Sequence, residues 1–159
     1  MPESAQPEPE HSAQPDVPDA DALAHASAEA MWAGDHASHA LGMVLEDVTP
    51  GTAQLSMAVR QDMVNGHRLC HGGIIATLAD SAFAFACNSH GTVTVASGFA
   101  VDLLAPARLG DVLVAEAREV RRRGRSGVYD VTVRCGDEVI AEFRGRSRSL
   151  GRPILQEDA

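Results

Sequence analysis

No stretch of the sequence approaches the roughly 18 uninterrupted apolar residues that a membrane-spanning helix needs, which argues against a helical membrane protein. The leading segment has neither the basic region nor the apolar core of a secretory signal. Cysteine is scarce: Cys70, Cys87 and Cys135 are odd in number, widely spaced and form no C-x-x-C. That pattern fits reduced thiols better than a disulfide framework or a zinc ribbon. With four Phe, one Tyr and one Trp, the core has to be built largely from Ala, Val and Leu. Lysine is absent, and all thirteen cations are Arg, a feature that carries no functional weight by itself. Together these absences imply a soluble protein of the cytoplasm.

What is present is enough for one core. A chain of 159 residues with 45% apolar content suits a single domain. The net charge of −9 is unevenly spread, because residues 1–59 hold ten acids and no Arg, whereas residues 60–159 balance thirteen Arg against twelve acids. No long basic face is available for nucleic acid, but local Arg clusters suit a small phosphorylated ligand.

Residues 1–20 are rich in Pro, Glu, Ser and Gln and read as a disordered acidic tail. An Ala-rich helix is expected over residues 21–34, stopped by Gly34 and lying on a main domain that extends to residue 150. Two strands, Gly42–Val48 and Thr52–Val59, flank a Pro50-Gly51 turn. After a polar connection, Gly72 or Gly73 opens a helix reaching about Asn88, with Ile75, Leu78, Ala79, Ala82, Phe83 and Ala86 on one face. Four further strand segments, Thr92–Leu104, Val112–Arg121, Val128–Cys135 and Val139–Arg148, read as an antiparallel meander, with residues 151–159 as a frayed tail. The fold class is therefore α+β: one long helix laid across a curled antiparallel sheet.

The helix from Gly72 carries the chemistry. Its first N–H groups lack intrahelical acceptors and lie at the positive end of the helix dipole, and Gly72 and Gly73 let a ligand approach the backbone closely. Such an amide can polarise a carbonyl oxygen that is becoming negative, although paired glycines also simply permit a tight turn. Asp80 stands mid-helix among Leu78, Ala79, Ala82 and Phe83, where an unpaired carboxylate is costly to bury, so it faces solvent, a partner or a substrate. Eight residues of helix separate the two by about 12 Å along the axis and about 80° around it. One helix therefore cannot aim both groups at one carbonyl carbon, and joint action needs the glycine of one subunit and the aspartate of another, related by a two-fold axis.

Neighbouring residues offer supporting roles. Asn65 either positions water or a carbonyl or is the turn residue of Asn-Gly. His71 suits a hydrogen bond that fixes the helix entrance, and the His67/His71 pair, bounded by glycines, does not resemble a zinc helix. Cys70 beside His71 lacks a third group that would orient a nucleophile. Ser81 either supports Asp80 or fills helix space. His25, His36 and His39 lack the Cys or paired carboxylates of a metal site.

N-x-x-x-x-x-H-G-G from Asn65, then L-A-D-S-A-F-A and C-N-S-H-G, resembles the hotdog-fold acyl-CoA thioesterases of the PaaI type, from phenylacetate degradation. The likeness continues through V-D-L-L-A-P-A-R-L-G-D, G-V-Y-D-V and F-R-G-R-S, over roughly residues 37–150. It implies five or six strands wrapped round the helix, a dimer with a continuous sheet and shared active sites, and commonly a homotetramer. It implies hydrolysis of phenylacetyl-CoA or its hydroxylated derivatives, with coenzyme A as part of the substrate, no separate cofactor and no metal. By position, Gly72 would polarise the thioester carbonyl, Asp80 would be nucleophile or general base, and Asn65 would hold the reacting groups. His71, Gly73, Ser81 and Ser97 would support them, Ser97 by holding water. Arg123, Arg125 and Ser126 would meet the phosphates of coenzyme A, or form a solvated hairpin tip. Phe83 and Phe99 line an acyl pocket or belong to the core.

Two other functions share this fold. A hydratase or dehydratase would pair a histidine with an acid on the helix, whereas His71 precedes it here. A non-enzymatic acyl-CoA sensor would need a regulatory domain, for which residues 1–36 are too acidic and proline-rich.

Overall fold

The computed structural model describes residues 19–155. The acidic segment read as a tail lies outside them except for its last two residues, and Ala20 already opens a helix. Three α-helices, a 3-10 turn at Gln61–Met63 and six strands follow: α1 (Ala20–Ala33), α2 (His36–Ala40), β1 (Met43–Thr49), β2 (Thr52–Ala58), α3 (Gly72–Asn88), β3 (Thr92–Leu103), β4 (Val112–Arg123), β5 (Ser126–Cys135) and β6 (Glu138–Pro153). All strand pairs are antiparallel, in the order β1-β2-β4-β5-β6-β3, and β1 and β3 are the edges. No helix of the described residues is long and apolar enough to cross a membrane.

The expected meander holds only for β4, β5 and β6. β3 instead crosses to the far side of β6, and residues 104–111 carry the chain back to start β4 beside β2. This crossover is anchored by backbone bonds, from the Leu104 N–H to the Ile140 carbonyl and from the Cys70 N–H to the Ala107 carbonyl, each 2.8 Å. The β4–β5 hairpin is also tighter than the sequence suggests. Arg123 pairs with Ser126, and the two-residue turn Gly124-Arg125 uses the left-handed backbone that glycine tolerates (Gly124 φ 57°). β6 continues past Gly151, where a frayed tail was expected: Pro153 pairs with Thr92, and the Ile154 N–H donates to the Gly91 carbonyl. That pairing with the end of β3 is what keeps it ordered. Residues 156–159 lie outside the described residues.

α3 lies in the concave face of the sheet. Ile75, Leu78, Ala79, Ala82, Phe83 and Ala86 are buried against inward side chains of β2, β4, β5 and β6, among them Leu55, Met57, Leu113, Val131 and Phe143. Small residues on the helix let the sheet come close, so Phe83 fills the space above Gly145, where a Cβ would stand 2.8 Å from its ring. Burying apolar surface in this layer supplies the main folding drive, at roughly 25 cal/mol per Å². At the far end the buried Asn88 fastens helix to sheet, its amide donating to the Ala84 and Thr94 carbonyls and its Oδ1 accepting from the Thr94 N–H. α1 packs against β1 and α3, burying Ala24, Ser27 and Ala28. The short α2, too brief to show a periodic pattern, is capped by Asp35 and holds α3 through a hydrogen bond between the Ser38 and Ser81 hydroxyls (3.1 Å).

Candidate active site

The entrance to α3 is built by a short closed loop. Val64 and Cys70 bridge across it, and Asn65 Oδ1 accepts the His67 and Leu69 N–H groups at 2.9 and 3.2 Å. Asn65 is thus both the turn residue and a wall of the site, since its carboxamide oxygen is spent on the loop while its NH₂ has no acceptor among the described residues. Arg68 takes the left-handed backbone (φ 62°) that closes this turn. His71 caps the helix: its Nδ1 accepts the Gly73 N–H at 3.1 Å, and its carbonyl accepts the Ile74 N–H. The Gly72 N–H is left without an acceptor among the described residues, and it points from the positive end of a 17-residue helix.

Asn65 and Gly72 line one cleft of about 360 Å³, with Leu69, Ile75, Leu103 and Leu104 among its apolar walls. Leu103 comes from β3 and lies directly against the face of Gly72. Nothing in the sequence singles out this leucine beyond its place in V-D-L-L. Cys70 also lines this cleft, but it is largely buried and its thiol donates weakly to the His71 carbonyl and not to its imidazole; burial raises its pKa, so it makes a poor nucleophile.

Asp80 does not line this cleft. It sits half-buried in the middle of α3 with no hydrogen-bond or ion-pair partner among the described residues, and desolvation raises its pKa. Ser81 turns away to Ser38, whose hydroxyl donates to Asp35, so its contact is with α2. Ser97 is likewise elsewhere: it is the extra residue of a β3 bulge, exposed, with its hydroxyl donating to the Arg146 carbonyl. Phe83 is core, whereas Phe99, 46% exposed, stacks on Phe143 from the free edge strand.

The hairpin residues divide between two hollows. Arg123 borders an outer groove with Arg121, Arg146 and Ser97, while Arg125 borders a second cavity with Cys87, His90 and Ser149, and Ser126 touches both. This second cavity lies at the C-terminal end of α3, about 25 Å of helix from Gly72. Within one chain, the acceptor-free Gly72 amide, the Asp80 carboxylate and the arginine hairpin are therefore strung along one helix rather than gathered.

The motifs and the architecture both have counterparts among known proteins. Residues 67–142 match the family model described as thioesterase superfamily. Acyl-coenzyme A thioesterase PaaI of Escherichia coli (strain K12) is 43% identical over 133 residues, covering 82% of this chain and 94% of that protein. The chain belongs to the thioesterase superfamily. Its hotdog fold superposes on the solved E. coli PaaI protein, from the phenylacetic acid degradation operon, with a TM-score of 0.83 and 38% identity, over 85% of this chain and 99% of that one. A mutant of the phenylacetic acid degradation protein PaaI of Thermus thermophilus gives 0.69 and 35%, over 71% and 97%. The thioesterase is thus an enzyme whose six-stranded sheet remains open at β1 and β3.

Proposed function

We propose that this thioesterase hydrolyses acyl-CoA thioesters, with phenylacetyl-CoA or its ring-hydroxylated derivatives as substrates, in the cytoplasm. The observation that carries the reading is the acceptor-free Gly72 N–H, set in an apolar cleft beside Asn65. The thioester carbonyl oxygen accepts from this amide, and the partner subunit supplies Asp80 to the carbonyl carbon. As general base, Asp80 takes a proton from water while the hydroxide adds to that carbon; the oxyanion rests on Gly72 N–H, and collapse expels the CoA thiolate, which takes up a proton. As nucleophile, the same carboxylate adds first and a mixed anhydride is hydrolysed afterwards. Both routes gain from desolvation, which makes the Asp80 carboxylate more basic than a solvated one.

A homodimer with two shared sites is supported by three features. Gly72 and Asp80 stand too far apart on α3 to meet one carbon, antiparallel α3 helices would bring one to the other, and β3 presents a free edge bearing exposed Val95, Phe99 and Leu103. The same two-fold would carry the partner's hairpin, with Arg123, Arg125 and Ser126, toward the Gly72 end, where the CoA phosphates need cations. Pairing of dimers into a homotetramer follows the family likeness. Coenzyme A enters as part of the substrate, and no separate cofactor or metal takes part.

Release of free thiol from phenylacetyl-CoA tests this reading. Turnover that disappears in Asp80→Ala, with folding intact, supports it. Hydration of a 2-enoyl-CoA without thiol release would support the hydratase instead, and saturable binding without any turnover would support a sensor.

A further inference from the structure

On the outer face of the sheet, the register sorts charges into rows running across β4, β5 and β6. One row reads Arg118, Asp130, Arg144, and its central carboxylate serves both neighbours: Arg144 donates to the two oxygens at 2.6 and 2.8 Å, and Arg118 donates at 3.3 Å. The next two rows toward the hairpin tip read Arg121, Val128, Arg146 and Arg123, Ser126, Arg148. Their centres hold a valine and a serine where the first row has its acid. On the far side of β6, β3 sets Gly98 beside Arg146 and Val95 beside Arg148, again without a carboxylate. All four arginines are exposed, and none has an ion-pair partner among the described residues; Arg148 reaches only the Ser126 hydroxyl, at 3.5 Å.

Strands about 4.8 Å apart and a two-residue step of about 7 Å set the backbones of these four arginines at the corners of a rectangle of about 10 by 7 Å. Like charges gathered on one sheet face repel and weaken it unless an anion lies among them. A groove of about 280 Å³ runs over this rectangle, lined by Arg121, Arg123, Val128 and Arg146.

The chain carries a matching anion of its own. Residues 1–18, outside the described residues, hold Glu3, Glu8, Glu10 and Asp16 and neither Arg nor Lys, and Glu8 and Glu10 repeat the two-residue step of Arg121 and Arg123. That segment joins the fold at the same end of the sheet. The Asp19 carbonyl accepts the Leu23 N–H in the first turn of α1, Leu23 lies against Gly91, and the Gly91 carbonyl accepts the N–H of Ile154, next to the last residue of β6. From there back along β6 to Arg148 is about 20 Å, whereas 18 residues can extend to about 60 Å. We infer that residues 1–18 lie over the face formed by Arg121, Arg123, Arg146 and Arg148 and serve as its counter-anion. Only Arg123 among the four is also offered to coenzyme A, and the inference stands without the thioesterase reading.

The test is the rate at which phenylglyoxal, an arginine-selective reagent, modifies each arginine of the full chain at low ionic strength, read by peptide mass spectrometry. Wild type is compared with a variant carrying Glu3→Gln, Glu8→Gln, Glu10→Gln and Asp16→Asn, all outside the packed core. Modification of Arg121, Arg123, Arg146 and Arg148 is expected to run about threefold or more faster in the variant, while Arg68 and Arg108, exposed on other elements, react equally in both and serve as internal references. High salt should raise the wild-type rates at the same four positions toward those of the variant, because it screens the attraction. Equal rates at the four positions in both proteins would overturn the inference. So would protection that survives in the variant and fades on dilution, which would mean that a second copy of the chain covers the face. No readout depends on turnover, so failure here leaves thioester hydrolysis untouched, and loss of hydrolysis leaves this result standing.

Discussion

Leu103 of the edge strand β3 lies so close to Gly72 at the head of α3 that a Cβ on residue 72 would collide with its Cδ1. Glycine at this position lets the half-exposed Leu103 side chain lie on the helix backbone, while backbone conformation itself does not require it. Because the colliding atom is the tip of a half-exposed side chain that can swing aside, Gly72→Ala is expected to cost about 1 kcal/mol of stability or less, and to lower kcat/KM by more than about tenfold by displacing the cleft wall. Chemical denaturation and steady-state kinetics check both. Adding Leu103→Ala to the same chain should recover most of the stability.

Asp80 should move stability and activity in opposite directions. Its folded pKa is raised by desolvation above the unfolded value, so its ionisation weakens the fold as pH rises through the window between the two. Asp80→Asn should consequently raise Tm at neutral pH, with the gain fading as pH falls below the ordinary carboxylate range, while abolishing turnover. The wild-type kcat/KM should fall on the acid side with an apparent pKa above that of an ordinary aspartate. A pH series of melting curves and rates gives both readouts, and a stabilising effect that persists in acid would contradict the assignment.

Glu119 shows the reverse linkage. Burial pushes its pKa up, but hydrogen bonds from His90 and Tyr129, with the His90 and Arg122 charges, more than offset this and hold it below the usual range. Its contribution is present above the unfolded pKa and is lost as pH falls through the folded one. Glu119→Gln should cost about 1–3 kcal/mol near neutrality, measured by urea unfolding, and the difference from wild type should shrink in acid.

Much of this was legible in the residues because helix signals are local. Gly72-Gly73, the apolar spacing from Ile75 to Ala86 and Gly91 bracket α3 almost to the residue. Strand segments were legible too, but their neighbours were not: alternation says which side chains share a face, and nothing in Thr92–Leu103 records that β3 pairs with β6 instead of β4. Arg123 closes β4 whereas Arg125 stands in the two-residue turn, so they border different cavities, although in sequence they look like one cluster. The partnership of Ser81 with Ser38 was hidden because α2 spans only five residues. Leu103 meets Gly72 from a separate element far along the chain, a contact that no local pattern encodes.

The central claim is that each site joins Gly72 of one subunit to Asp80 of its partner, and mixing two impaired variants tests it most directly. In a dimer of Gly72→Ala with Asp80→Ala, one site inherits both intact groups and the other neither. Co-folding equal amounts should thus restore about a quarter of wild-type thiol release, since about half the dimers are mixed and each carries one good site. If both groups acted within one subunit, every site would keep one defect, and the mixture would be no more active than its components.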